Sequence, residues 1–120
     1  MPGPRPSLET LLPLTPAVFH ILLALADADR HGYGIAKEIA ARTDDQVRLG
    51  PGTLYGTLTR MVEAELIGER PRPGRATAGD ERRRYYRITT LGRDVAKAEA
   101  ARLAALVDVA RAKALIARER

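Results

Sequence analysis

The chain has no cysteine, no tryptophan and one phenylalanine, Phe19. Without cysteine there is no disulfide and no thiolate metal site, which suits a reducing compartment. Two histidines, His20 and His31, are too few for a dedicated transition-metal site. Also missing are a Ser-His-acid set, a phosphate-binding glycine loop and a pair of carboxylates at catalytic spacing. The isolated Gly32-Tyr33-Gly34 does not make a nucleotide site. Neither a cofactor nor an enzymatic reaction is expected. No run approaches the roughly 18 apolar residues of a membrane span. Met1–Pro13 lacks the charged start and apolar stretch of a signal peptide. The expectation is a cytoplasmic protein that does not use a membrane.

What is present fits one domain: 120 residues, 45% of them hydrophobic. With 4% aromatic residues the core must be built from Leu, Val, Ile and Ala. A core of that size is marginal alone and gains from a partner subunit. The net charge is +5 and the isoelectric point about 10.1. That balance suits a polyanionic partner, either nucleic acid or an anionic surface.

Pro2, Pro4, Pro6 and Pro13 oppose helix in residues 1–14, which read as a flexible arm that becomes ordered near Leu11. Thr15 caps a first helix with Pro16 at its first position, running to about Ala28. Val18, Ile21, Leu22 and Leu25 form one face, and Phe19 and Leu23 make the other side apolar too. Such a helix faces both its own core and a partner. Asp27–Gly34 reads as a turn. A second helix follows over Tyr33–Thr43, and Gln46–Leu49 suggests one brief strand. Gly50-Pro51-Gly52-Thr53 opens a third helix that reaches about Leu66. Leu54, Leu58, Met61, Val62 and Leu66 lie on its inner face. Thr53, Gly56, Arg60 and Glu63 lie on the outer one. Ile67–Arg72 and Arg82–Thr89 read as strands of a hairpin joined by the turn-rich Pro73–Asp80. Thr90 caps a last helix that spans nearly all the remaining chain.

This order predicts a mainly α fold with a small β-hairpin: a winged helix-turn-helix over residues 15–89, followed by a C-terminal dimerisation helix over 90–120. The third helix has the thickness of the DNA major groove. Arg60 suits a two-pronged bond to guanine. Thr53 suits a thymine or a phosphate, and Gly56 lets the backbone approach the duplex closely. Tyr55 and Thr57 complete the candidate reading helix. The Tyr55 ring is expected to pack on the core with its hydroxyl within reach of a phosphate. The hairpin carries Arg70, Arg72, Arg75, Arg82, Arg83, Arg84 and Arg87 against Glu69, Asp80 and Glu81, and Arg75, Arg82, Arg83 and Arg84 are the candidate phosphate grip. Tyr33 is expected to pack between helices, with a place near the DNA backbone as the alternative. One of Tyr85 and Tyr86 is expected to face inward and the other outward. His20 reads as packed in its apolar helix, and His31 as a cap or turn residue.

The segments Leu14-Thr15-Pro16, His31-Gly32-Tyr33-Gly34-Ile35, Gly52-Thr53-Leu54-Tyr55 and Arg84-Tyr85-Tyr86-Arg87-Ile88-Thr89, then Leu91-Gly92, resemble the PadR family of bacterial transcriptional regulators. The resemblance covers about residues 12–115, and the order and spacing of the pieces carry it. It implies a homodimeric winged-helix repressor, often answering to a small-molecule effector. The short C-terminal part resembles the branch of the family that pairs through one last helix. Gly56 departs from the family, which often has proline after the Leu-Tyr pair, and the wing loop is somewhat long.

In the last helix Ala96, Ala100, Leu103, Leu106, Val107, Ala110 and Ala114 form one stripe, small residues admitting a close neighbour and leucines filling the gaps. The helix is too long for this core to cover. Phe19, Leu103, Leu106, Val107 and Ala110 are therefore the candidate pairing residues. Two-fold pairing predicts a pseudo-palindromic double-stranded operator. The alternative is a winged-helix module that binds protein instead; the basic wing argues against it.

Overall fold

The computed structural model describes residues 11–70 and 84–117. Thr15 caps α1 (Pro16–Leu25): its Oγ1 accepts from the Val18 amide at 3.3 Å. Ile21, Leu22, Ala24 and Leu25 are buried, while Leu23 stays on the surface. The helix ends three residues before the expected Ala28. Arginines brought in by the fold take carbonyls at its end: Arg30 Nε reaches the Ala24 oxygen at 2.7 Å and Arg93 the Ala26 oxygen at 3.3 Å.

The chain then makes a strand where a turn was expected. β1 (Arg30–His31) leads directly into α2 (Gly32–Arg42). His31 caps α2, its Nδ1 accepting from the Gly34 amide at 3.0 Å. Arg42 ties α2 to α1. It bonds both Glu38 oxygens and donates to the His20 carbonyl at 3.3 Å and to His20 Nδ1 at 3.1 Å. His20 is thus half-buried in a polar tether rather than packed in an apolar one. Burial, then the Arg42 charge, lower its pKa, and Glu38 opposes them.

The brief strand expected at Gln46–Leu49 is absent. Val47 and Leu49 pack on the core without pairing. α3 (Pro51–Glu63) buries Leu54, Leu58 and Met61. β2 (Ile67–Arg70) and β3 (Tyr85–Ile88) pair antiparallel, Ile67 facing Ile88 and Glu69 facing Tyr86. β1 pairs with the other edge of β3, so the sheet order is β1-β3-β2. The result is four helices and a small three-stranded antiparallel sheet among the described residues.

α4 (Thr90–Ala112) is capped by Thr89, one residue before the expected Thr90. Thr89 Oγ1 accepts from the Gly92 amide at 2.9 Å and donates to the Glu65 carbonyl at 2.7 Å, which locks the start of α4 onto the α3–β2 turn. Gly92 makes this possible. Any Cβ there would collide with the Leu66 carbonyl oxygen and press on Ile88 at 3.1 Å. Val95 is fully buried in the common core. One turn on, Glu99 is buried too, with Oε1 2.8 Å from Arg102 Nε and Oε2 3.0 Å from Nη2. The Arg102 bond, together with the Leu14 amide, holds this carboxyl below the ordinary glutamate range against the opposing effect of burial. Leu11, Leu12 and Leu14 lie against the same core. Beyond Leu103, α4 leaves the core.

Candidate nucleic-acid interface

α3 sorts its residues by the helical period. The inner stripe includes Thr57, which is only 3% exposed and whose Oγ1 donates to the Thr53 carbonyl at 2.6 Å. Its place on the candidate reading face is therefore corrected: Thr57 stands between Leu54 and Met61 on the core side, its hydroxyl satisfied by its own helix. Thr53, Tyr55, Thr59 and Arg60 are exposed and Gly56 is half-buried. Thr59 was missed by the sequence reading. It lies three residues after Gly56 and four before Glu63, so the spacing already put it outward. The Arg60 guanidinium folds back along the helix, with Nη2 3.4 Å from Thr57 Oγ1 and Nη1 resting over Gly56. α3 begins at Gly50 without a side-chain cap.

Tyr55 and Tyr33 project where the start of α2 meets α3. The Tyr55 ring lies on Gly32 so closely that a Cβ there would come within 2.7 Å of it. Glycine at 32 is thus the complement of tyrosine at 55. The ring is seated on the fold, as expected, but remains 48% exposed. Tyr33 does not pack between helices: it is 63% exposed, stacked on His31 at 6.3 Å between centroids, with Lys37 Nζ 5.5 Å from its ring centre. In β3 the alternation holds. Tyr86 is buried, and the half-buried Tyr85 meets His31 edge-on at 5.6 Å.

At the base of the hairpin Arg84 stands 3.6 Å from Glu69, and Arg70 pairs with Asp29 at 2.9 Å. Arg84 and Arg87 are exposed. Arg75, Arg82 and Arg83 of the expected phosphate grip, with Arg72, lie outside the described residues. His31, Gly32, Tyr33, Tyr55, Glu69, Arg84 and Tyr86 together line a notch of about 290 Å³ between α2, α3 and the hairpin. Burial, then the nearby charge of Glu69, pushes the Tyr86 phenol above its ordinary pKa.

The outer half of α4 presents a surface of the opposite chemistry. Leu106 is 54% exposed, Val109 51% and Val107 39%. Phe19, Leu103 and Ala110 are half-buried. Val109 was not singled out from the sequence, although it lies three residues after Leu106. Among the described residues no cluster of three or more His, Cys, Asp or Glu is placed to hold a metal ion, and no helix is long and apolar enough to cross a membrane.

The profile of the transcriptional regulator PadR-like family matches residues 21–98, from the middle of α1 into the buried part of α4. An uncharacterized protein of Lysinibacillus sphaericus is 37% identical over 77 residues, 61% of this chain and 64% of that protein. The match thus spans somewhat less than two thirds of that curated relative. A PadR family transcription regulator from Clostridium difficile superposes with a TM-score of 0.68 at 28% identity, over 81% of this chain and 96% of its own. A transcriptional regulator from Clostridium thermocellum superposes with a TM-score of 0.67 at 29% identity, over 79% and 86% of the two chains.

Proposed function

This chain belongs to the PadR-like family of transcriptional regulators, DNA-binding winged-helix proteins and not enzymes, and from that premise we propose that it is a homodimeric, sequence-specific repressor. The observation that carries the reading is the outer face of α3. Thr53, Thr59 and Arg60 stand exposed on a helix whose inner face is fully committed to the core. In this reading α3 enters the major groove and Arg60 unfolds from over Gly56 to bond a guanine edge through two donors. Thr53 and Tyr55 meet the backbone beside it. The hairpin arginines Arg75, Arg82, Arg83 and Arg84 grip phosphates without reading sequence. Pairing through Phe19, Leu103, Leu106, Val107 and Ala110 sets two such helices on one face of the duplex. The operator is then a pseudo-palindrome with half-sites about one helical turn apart, roughly 34 Å, or a multiple of it.

Relief of repression by a small-molecule effector completes the proposal. α4 carries no aromatic residue on which a flat ligand would stack. Such an effector is therefore held by aliphatic side chains of the pairing region or acts elsewhere.

Fluorescence anisotropy against the DNA upstream of the protein's own gene tests the reading. Specific binding that exceeds scrambled DNA by about a thousandfold or more and weakens steeply with salt is expected. Equal, weak binding to every sequence would remove it and favour a protein-binding module.

A further inference from the structure

The notch between α2, α3 and the hairpin has an unbalanced chemistry. Three phenols line it, from Tyr33, Tyr55 and Tyr86. None of their hydroxyls has a hydrogen-bond partner among the described residues, and that of Tyr86 reaches solvent although the residue as a whole is only 7% exposed. A guanidinium, Arg84, stands at the rim. Among the charged side chains of the described residues lining the notch, the single acceptor is Glu69. Tyrosine side chains and a guanidinium lining one space suit an oxyanion, and a guanidinium suits phosphate in particular.

Glu69 works against such a guest. Its carboxylate stands 3.6 Å from Arg84 Nε, longer than a good charge-assisted hydrogen bond, and both side chains are largely in solvent. A contact of this kind is worth little and gives way readily. It nevertheless places a negative charge on the floor of the notch and gives Arg84 somewhere to rest.

Resting on the DNA-binding reading above, we propose that this notch seats one backbone phosphodiester of the bound duplex, and that Glu69 is its internal competitor. Tyr33 and Tyr55 donate to the phosphate oxygens, and Arg84 leaves Glu69 to pair with them. The location fits the source. A strand passing from the groove that holds α3 toward the groove that meets the hairpin crosses the space between those two elements, which is where the notch lies. Gly32 belongs to the same device, because only a residue without Cβ leaves room for the Tyr55 ring that forms one wall. Glu69 then tunes affinity for all sequences alike, since a phosphate carries no base identity.

The test uses the full chain, with anisotropy on operator and scrambled duplexes and on operators carrying one neutral methylphosphonate at each backbone position in turn. Glu69→Gln should tighten binding to both duplexes by about three- to tenfold at low salt, and the gain should vanish when Arg84→Ala is added. Tyr55→Phe and Tyr33→Phe, which keep the rings, should weaken both by a similar factor. At one methylphosphonate position per half-site the parent should lose about tenfold, and there the Glu69→Gln and Tyr55→Phe effects should disappear. Unchanged affinity in Glu69→Gln and in both phenylalanine variants would overturn the seat. So would effects that persist at every methylphosphonate position. If inorganic phosphate at constant ionic strength binds the parent but not Tyr55→Phe and does so without displacing DNA, the notch takes the free anion and the assignment to the DNA backbone fails. A parent that binds operator and scrambled DNA alike would instead defeat the regulator reading. The seat would still be tested on the scrambled duplex.

Discussion

α3 and α4 each present a face that the core does not use, and the two faces differ in kind. On α3 the free face is polar, with Thr53, Thr59 and Arg60 exposed around the half-buried Gly56. On the outer half of α4 it is aliphatic, with Leu106, Val107 and Val109 in solvent. A polar face costs nothing to leave in water and waits for a partner with a pattern of donors and acceptors. An aliphatic face costs free energy until something covers it, at roughly 25 cal/mol per Å². The first is suited to reversible reading and the second to standing assembly. On the proposed function, the same chain carries one surface for a partner that comes and goes and one for a partner that stays.

That division is broken most severely through α4. Replacing Leu103 and Leu106 with Glu should give monomers in sedimentation velocity while circular dichroism keeps the helical content. Affinity for a full palindromic site should fall by about a hundredfold or more, because two linked contacts become one. The next largest effect is at Gly92, where the two regions join. Gly92→Ala should lower unfolding stability by about 1–3 kcal/mol or more in urea, since backbone of the α3–β2 turn must move to admit a methyl group. It should reduce both pairing and DNA binding together, whereas variants on either face should reduce only one at first hand. Arg60→Ala should cost about 1–3 kcal/mol of discrimination between operator and scrambled DNA and leave the dimer intact. Arg83→Ala should instead weaken every duplex alike.

A smaller effect belongs to Glu99, at the point where α4 leaves the core. Its carboxyl is held below the ordinary glutamate pKa by Arg102. The stability it contributes is therefore fully present above the ordinary value of 4.5 and lost as pH falls from there through the lower folded value. Urea midpoints followed from pH 6 downward should fall more steeply for the parent than for Glu99→Gln. The smallest change expected is a gain. Glu65 holds a positive φ of 63° at the end of α3, so Glu65→Gly should stabilise the fold by about 0.5–1 kcal/mol without touching either face.

How far these surfaces were legible follows from which residues announce themselves. Thr15 and Pro16 mark a helix start in any context, and the spacing of Leu54, Leu58 and Met61 fixes which side of α3 faces out. The winged-helix order could therefore be read directly. The helix ends could not. α2, α3 and α4 all close with a left-handed residue and the paired backbone bonds of a Schellman turn, yet the residues there are Asp44, Glu65 and Ala114 instead of glycine. Nothing in the spacing distinguishes Ala114 from the alanines before it, so α4 looked as though it ran on. β1 is two residues long, too short for any alternation, and exists only because β3 offers an edge. Thr57 looks like a surface residue by chemistry, and only its bond to the Thr53 carbonyl makes burial tolerable. Glu99 is the same problem in stronger form, a charge whose place in the core depends on Arg102 three residues away and on the arm at Leu14.

The central claim is that reading by α3 depends on pairing by α4, and matched isotherms on a full palindromic site and on a single half-site test it most directly. The parent should prefer the full site by at least about tenfold with two chains bound, and the Leu103→Glu, Leu106→Glu variant should bind both sites equally with one chain on each half-site. A parent that binds the half-site as tightly as the full site, or a variant that keeps the full-site preference, would contradict it.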